Sequence, residues 1–198
     1  MVKVKKGGQK KHHHGGKSTE SLINAKKVLQ QIEINQNFSI LDLGCGSGYF
    51  SIQAAKNFIN ETGIIYAIDI HEESINKLKN KFSKMELSNI KPIIADVTEG
   101  LPVEEKSIDF CIIANVLHGF VVNGETEMVL DNLEHVLKKN ALVAVIEFKK
   151  SKLVPGPPID ERLSRFDAMK LMTLRPFKFI KNIKVGLLHY GLLFKVIK

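Results

Sequence analysis

The sequence has no tryptophan, only two cysteines and no long uninterrupted apolar run. Its longest apolar stretches, such as 141–146, are far shorter than the roughly 20 residues that a membrane-spanning helix requires. The N-terminus is basic, but it lacks the apolar stretch that is typical of a secretion signal. We therefore expect a cytoplasmic protein without a membrane span.

The two cysteines, Cys45 and Cys111, both lie in apolar segments near the ends of predicted strands. A single pair in an intracellular chain is more often two buried thiols than a disulfide. No C-x-x-C spacing is present, so the cysteines indicate no metal site of that kind.

The positive charge is concentrated at the N-terminus. The chain has 198 residues and a net charge of +8, and residues 1–17 contain six lysines and no acidic residue. The remaining residues carry 23 basic and 21 acidic side chains, a difference of +2. We predict a flexible basic tail over 1–17 and a single folded domain over 18–198. The tail is typical of a solvated segment, and attachment to nucleic acid is the alternative.

The tail also contains three adjacent histidines between glycines. His12, His13 and His14 allow three interpretations, which are a disordered segment, a lid that closes over the active site and a weak transition-metal site. Disorder is our first interpretation, the lid our second and metal binding our third. We expect no metal site elsewhere in the chain.

Strand-like and helix-like patterns alternate along most of the chain. Apolar runs predict five strands, at 38–43, 64–70, 92–95, 108–114 and 141–148. Apolar residues spaced three and four apart predict four helices. Ser18 is the expected cap of the first helix. The apolar residues of the four helices are, in chain order, Leu22, Ala25, Leu29 and Ile32; Ile52, Ala55 and Phe58; Ile75, Leu78, Phe82 and Met85; and Leu130, Leu133 and Leu137. This alternation predicts a doubly wound α/β fold, a mostly parallel sheet with helices on both faces.

The last third of the chain has a different pattern. A proline-rich loop at 155–158 precedes a segment, 160–174, that looks helical. Two β-rich segments near 177–185 and 188–197 then flank Gly186. Because only a short turn separates them, we expect an antiparallel hairpin.

The first predicted strand ends in a glycine-rich turn, D-x-G-x-G-x-G, at Asp42, Gly44, Gly46 and Gly48. Glycine allows positive φ and close approach of a ligand to the main chain, at the edge where open α/β sheets bind nucleotides. The dinucleotide pattern G-x-G-x-x-G would require a third glycine at Tyr49, and no Lys-Ser or Lys-Thr pair suggests a P-loop.

Acidic residues follow the next two predicted strands. Asp69 ends the second strand, where a carboxylate can accept both hydroxyls of a ribose. Asp96 follows the third strand and can accept a hydrogen bond from an adenine amino group. Each aspartate alone is typical of a helix cap or a turn. The glycine turn with Asp42, Asp69 and Asp96 lie at the ends of three successive strands, and together they favour an adenosyl ligand.

The segments ILDLGCGSGYF, YAIDIHEES, ADVTEGLP, SIDFCIIANVLHGF and VLKKNALVAVIEFKK resemble the class I S-adenosylmethionine-dependent methyltransferases. The resemblance is greatest to the ubiquinone/menaquinone-biosynthesis-type branch, which acts on small molecules, and it extends over about 18–198. It implies a Rossmann-like sheet of seven strands with an antiparallel last strand. It also implies S-adenosylmethionine as the cofactor, with S-adenosylhomocysteine as product.

The resemblance implies a set of cofactor-binding residues. The glycine turn, including Cys45, would face the methionine part. Asp69 would hold the ribose with Ile70 beside the adenine, Asp96 and Val97 would hold the adenine edge, and Asn115 would approach the methionine amino group through its main chain.

Methyl transfer needs an aligned nucleophile, and a base where the acceptor is protonated. His118 is the first candidate base, because the unperturbed pKa of histidine suits this role, although a structural histidine is the alternative. Other residues that could line an acceptor pocket are Glu147, Arg162, His189 and Tyr190. For each of them a structural role is the alternative.

The absence of two sequence features excludes some classes of methyl acceptor. No D/N-P-P-Y/F run follows the fourth strand, as in amino-directed DNA and protein-glutamine methyltransferases, and the cysteines are too few for arsenic methyltransferases. We expect a small-molecule acceptor. A macromolecular acceptor, RNA or protein, bound through the tail is one alternative, and a non-catalytic cofactor-binding module is the other.

Overall fold

The computed structural model describes residues 22–153 and 156–197. The tail over 1–17, His12, His13 and His14, and the expected cap Ser18 lie outside these residues. No helix in the described ranges is long and apolar enough to cross a membrane.

Helices and strands alternate along most of the chain, as the sequence predicts. In chain order they are α1 (Ala25–Leu29), β1 (Ser39–Leu43), α2 (Tyr49–Asn57), β2 (Ile64–Asp69), α3 (Glu72–Ser83), β3 (Ile90–Ile94), β4 (Ile108–Ala114), α4 (Leu117–Asn123), α5 (Thr126–Val136), β5 (Leu137–Phe148), α6 (Arg165–Thr173), β6 (Phe177–Ile183) and β7 (His189–Val196).

The strands form one seven-stranded sheet in the order β3-β2-β1-β4-β5-β7-β6. Strands β1 to β5 pair in parallel, and β7 runs antiparallel to both of its neighbours. The predicted doubly wound α/β fold, the antiparallel last strand and the terminal hairpin are therefore confirmed.

A separate apolar core covers each face of the sheet. Leu41, Leu43 and Val145 pack with buried residues of α4, α5 and α6 on one face. Ile40 and Ile65 pack with α1, α2 and Leu78 of α3 on the other. Because consecutive strand residues point to opposite faces, nearly continuous apolar strands supply both cores.

The predicted first helix is wrong in its start, whereas its predicted apolar residues are buried except for Leu22. Asn24 caps α1 by accepting a hydrogen bond from the Lys27 N–H at 3.0 Å. The helix therefore begins later than the spacing indicates, and Leu22 is 39% exposed. Ala25, Leu29 and Ile32 are buried as expected, and Ile23 and Val28 are buried as well.

Three other differences concern predicted helices. Leu137, expected in a helix, is the first residue of β5, because it pairs with Ile108 and extends the strand by four residues. Met85 is exposed because α3 ends two residues earlier. The helix expected over 160–174 begins only after Ser164, whose hydroxyl accepts from the Asp167 N–H. The sequence pattern missed α4 entirely.

Candidate active site

The glycine turn joins β1 to α2 at the carboxyl edge of the sheet. Gly44, Gly46 and Gly48 have φ values of 70°, 53° and 77°, so all three adopt the left-handed conformation that glycine favours. The N–H groups of Gly44 and Cys45 both donate to the Ile68 carbonyl at 2.9 Å. These bonds fix the turn against the end of β2.

The three glycines have different surroundings. A Cβ on Gly44 would lie 2.9 Å from the Val116 side chain, and one on Gly48 would lie 2.3 Å from that of Leu78. A Cβ on Gly46 would meet nothing within 4 Å. Gly44 and Gly48 are therefore required by packing, whereas Gly46 faces open space.

Asp42 lies beneath the turn and is directed toward α2. Its Oδ2 accepts hydrogen bonds from the Ser51 N–H at 3.1 Å and the Ser51 hydroxyl at 2.6 Å. Burial raises the pKa of Asp42 to about 6, and the bonds from Ser51 act in the opposite direction. Its observed contacts thus support the turn from within, and direct contact with a cofactor stays a prediction.

Asp69 connects the glycine turn to the loop after β2. Its Oδ2 accepts from the Gly46 N–H at 2.7 Å, and its Oδ1 accepts from the His71 N–H at 2.9 Å. Each carboxylate oxygen has two lone pairs, so both can accept a further hydrogen bond. The carboxylate therefore borders the open space at Gly46 and retains capacity for a ligand hydroxyl.

The expected adenine-binding residues lie on neighbouring loops. Ile70 is 48% exposed, which leaves an apolar surface beside Asp69. Asp96 Oδ1 accepts from the N–H and the hydroxyl of Thr98, at 2.9 and 2.7 Å, so this oxygen has the turn role that sequence reasoning kept as an alternative. Val97 is buried, and its carbonyl accepts from the Asn132 amide at 2.9 Å.

Both cysteines are free thiols. Cys45 is half-buried within the glycine turn, and Cys111 is fully buried in β4. Burial is the first cause that raises the pKa of each thiol well above its usual range. Both are therefore poor nucleophiles in the folded protein.

His118 and Glu147 form a buried pair. Glu147 Oε2 lies 2.8 Å from His118 Nδ1, and Glu147 Oε1 accepts from the His118 N–H at 3.0 Å. The two residues are 29 positions apart, on α4 and β5, and the carboxylate contacts both the ring and the main chain of the histidine. One carboxylate thus fixes the position and the ring orientation of His118.

Arg162 and Tyr190 hold the segment that follows β5. Arg162 donates to the carbonyl oxygens of Pro157 at 2.7 Å and Lys149 at 3.1 Å. The Tyr190 hydroxyl donates to the Leu163 carbonyl at 3.0 Å. The observed contacts of both side chains are structural, and their expected role in an acceptor pocket stays a prediction.

Asn115 and His189 meet at the same edge of the sheet. The Asn115 side-chain nitrogen lies 3.3 Å from His189 Nε2, and Asn115 has a φ of 57°. The Asn115 N–H donates to the Ile146 carbonyl at 2.8 Å, which leaves only its carbonyl for the expected main-chain contact with a cofactor. Burial, with a smaller effect of Lys149, lowers the pKa of His189 to about 4.

Sequence reasoning missed two residues that support this site. Ser51 holds Asp42, and its only sequence signal is a polar residue on the otherwise apolar face of α2. Phe148, whose ring centroid lies 4.1 Å from that of His189, has no signal beyond its place at the end of a strand.

The profile of the methyltransferase domain family matches residues 34–172, more than two thirds of the chain. A demethylmenaquinone methyltransferase from Staphylococcus aureus (strain MRSA252) is 28% identical over 130 residues. This match covers 65% of the chain and 50% of the relative, so the chain spans about half the length of the curated relatives it matches.

Solved structures agree with the family match. A SAM-dependent methyltransferase from Aquifex aeolicus aligns with a TM-score of 0.82 and 26% identity, over 92% of this chain and 95% of that one. A SAM-dependent methyltransferase from Methanosarcina mazei aligns with a TM-score of 0.68 and 16% identity, over 83% and 94%, which bears on the fold alone. The chain therefore belongs to the methyltransferase domain family and has the fold of S-adenosylmethionine-dependent methyltransferases.

Proposed function

We propose that this protein is an S-adenosylmethionine-dependent methyltransferase that transfers the methyl group to a small-molecule acceptor by in-line displacement. One observation carries the proposal. The main chain at Gly46 borders open space, and the Asp69 carboxylate is bonded to the same residue at the carboxyl edge of the sheet. This is the edge where open α/β sheets bind nucleotides.

The residues at this edge fit the parts of an adenosyl cofactor. Asp69 retains acceptor capacity for ribose hydroxyls, and Ile70 offers apolar surface for the adenine ring. Asp96 Oδ2 is the carboxylate oxygen left for the adenine amino group, since Oδ1 serves the turn. When bound, S-adenosylmethionine supplies an electrophilic methyl group, so the chain itself must position the acceptor and take up its proton.

His118 is the proposed general base, with Glu147 as its positioning residue. A neutral imidazole that donates from Nδ1 to the Glu147 carboxylate carries its lone pair on Nε2. The Nε2 atom would then take the proton of the acceptor as the new bond to the methyl carbon forms. The adjacent Glu147 carboxylate stabilises the resulting imidazolium.

The first acceptor to test is a reduced naphthoquinone. The relatives that are 28% identical to this chain are demethylmenaquinone methyltransferases. The ring hydroxyl of a quinol carries a proton that a histidine base can accept.

Cofactor binding is tested by calorimetry on the full-length protein. Asp69→Ala should weaken S-adenosylmethionine binding by about 10- to 100-fold, the range for losing hydrogen bonds to a charged group. Glu72→Ala removes an exposed carboxylate three positions away and should leave the affinity unchanged. Equal affinities for wild type and Asp69→Ala would refute the ribose assignment.

Turnover is tested by release of S-adenosylhomocysteine with a short-chain demethylmenaquinol. We expect His118→Ala to lower kcat by about 10²- to 10⁴-fold with an unchanged dissociation constant for S-adenosylmethionine, because only proton transfer is affected. Glu147→Gln should also lower kcat, because a single amide oxygen cannot replace both carboxylate oxygens that contact the His118 ring and the His118 main-chain N–H. Full turnover by His118→Ala would remove the base from the mechanism.

A further inference from the structure

The Asn115–His189 pair contains two buried atoms without hydrogen bonds. Asn115 Oδ1 and His189 Nδ1 have no hydrogen-bond partner in the part of the chain that the structure describes. His189 as a whole is only 1% exposed. Buried polar atoms are nearly always paired in folded proteins, and unpaired ones destabilise the fold. Two such atoms on residues that contact each other therefore need an explanation.

The contact between the two side chains determines what they can still bind. If the Asn115 amide donates to Nε2, the His189 proton must lie on Nδ1, which leaves one donor at Nδ1 and one acceptor at Oδ1. If the amide is rotated, Nε2 donates to Oδ1, and the remaining groups are the Asn115 amide donor and the Nδ1 lone pair. Either arrangement leaves one donor and one acceptor.

The pair is also neutral. Burial lowers the pKa of His189 to about 4, and Lys149 acts in the same direction, so the ring is uncharged at neutral pH. An asparagine side chain has no charge at any pH. A charged ligand would therefore gain no ion pair with Asn115 or His189, whereas a neutral group with its own donor and acceptor would be matched.

The surroundings of the pair place it beside the cofactor edge and next to an aromatic ring. Val116, the neighbour of Asn115, fills the space against Gly44 of the glycine turn. The Phe148 ring lies 4.1 Å from the His189 ring, centroid to centroid, and a Cβ on Gly156 would lie 2.9 Å from Phe148. Phe148 is therefore the aromatic ring next to the pair, and it can stack on a planar group that binds there.

We propose that Asn115 and His189 together form the site that binds a neutral polar group of the methyl acceptor, one that offers a hydrogen-bond donor and an acceptor on a planar framework. This inference rests on the proposed function and assigns its acceptor-recognition residues. The pair has a binding role, separate from the proton transfer assigned to His118.

The first experiment measures thermal stability of the full-length protein at pH 7. The double variant Asn115→Gly with His189→Phe removes both unpaired atoms together with the contact between the two side chains, so its Tm should not fall below that of the wild type. Tyr190→Phe is the matched control on the next residue. It removes a hydroxyl that is bonded to Leu163, so Tm should fall. A clear fall in Tm for the double variant would show that these atoms are satisfied within the fold, and would overturn the proposal.

The second experiment measures probe binding to the protein loaded with S-adenosylhomocysteine, by NMR titration with benzamide, benzoate and toluene. Benzamide offers a donor and an acceptor on a planar ring, and it should bind at least tenfold more tightly than benzoate or toluene. His189→Phe and Asn115→Gly should each weaken benzamide binding by at least fivefold. Glycine adopts the φ of 57° at position 115 readily, so Asn115→Gly keeps the backbone intact.

The outcomes separate this inference from the proposed function. Equal binding of benzamide and toluene, or unchanged benzamide binding in both variants, would overturn the acceptor site while cofactor binding persists. His189→Phe should keep the wild-type dissociation constant for S-adenosylmethionine, measured by calorimetry. A large loss of that affinity would assign the pair to the cofactor and overturn its acceptor role. Absence of S-adenosylmethionine binding by wild type would instead refute the proposed function itself.

Discussion

Replacement of Asp42 by asparagine should change the way the free energy of unfolding depends on pH. The pKa of Asp42 is raised from 3.8 to about 6, because its carboxylate is buried beneath the glycine turn. The folded protein therefore binds more protons than the unfolded chain between these values, and its stability falls as pH rises through them. A shift of about two pKa units corresponds to about 3 kcal/mol.

His189 acts in the opposite direction over nearly the same range. Its pKa is lowered from 6.5 to about 4, so the unfolded chain binds more protons there and stability rises with pH. The size of this contribution is also about 3 kcal/mol. In the wild type these two groups oppose each other between pH 4 and pH 6. The contribution of each becomes visible when the other is removed.

In Asp42→Asn, the free energy of unfolding should rise by about 3 kcal/mol from pH 4 to pH 6.5, and in His189→Phe it should fall by a similar amount from pH 4 to pH 6. Ser51→Ala removes a hydrogen bond that lowers the pKa of Asp42, so the fall with pH should extend above pH 6. Urea unfolding followed by far-UV circular dichroism measures these values, since the chain has no tryptophan. Identical pH curves for wild type and Asp42→Asn would refute the reasoning.

Three further predictions concern the glycine turn, a surface cluster and the thiols. Gly48→Ala should lower the free energy of unfolding in urea by about 2–4 kcal/mol, because the added methyl group strains the backbone and clashes with Leu78 of α3. Gly46→Ala should lower it by only about 1–2 kcal/mol, but it should weaken cofactor binding in calorimetry. Arg175→Ala removes contacts with three carboxylates of α5 and should cost about 1–2 kcal/mol, less in 1 M salt; no salt dependence would contradict it. Cys45 and Cys111 should resist iodoacetamide until urea unfolds the chain, and rapid labelling of the native protein would count against their burial.

The parts of the fold that depend on local patterns could be predicted from the sequence. The strands are short apolar runs, and the glycine turn follows the first of them, so the succession of strands and the sheet type are confirmed. Helix starts were less predictable because caps decide them. Asn24, and not Ser18, caps the first helix that the structure describes, and Ser164 delays the last one.

The contacts within the site could not be predicted, because they join residues that are far apart in the chain. The sequence indicated His118 and Glu147 as separate candidates. Only the order of the strands in the sheet brings His118 Nδ1 to 2.8 Å from Glu147 Oε2. Asn115 and His189 are 74 positions apart and meet because β7 inserts next to β5. No spacing rule links such pairs.

The pairing of β5 with β7 has a consequence for how the sequence can change during evolution. Glu147 of β5 lies opposite Tyr190 of β7, and Phe148 lies opposite His189. Because consecutive strand residues point to opposite faces, the Glu147–Tyr190 pair and the Phe148–His189 pair lie on opposite faces of the sheet. A one-residue deletion within β7 would exchange these faces and separate His189 from both Asn115 and Phe148. The turn between β6 and β7 can change in length without this effect. Insertions and deletions among homologues should therefore accumulate in that turn and be absent from the start of β7.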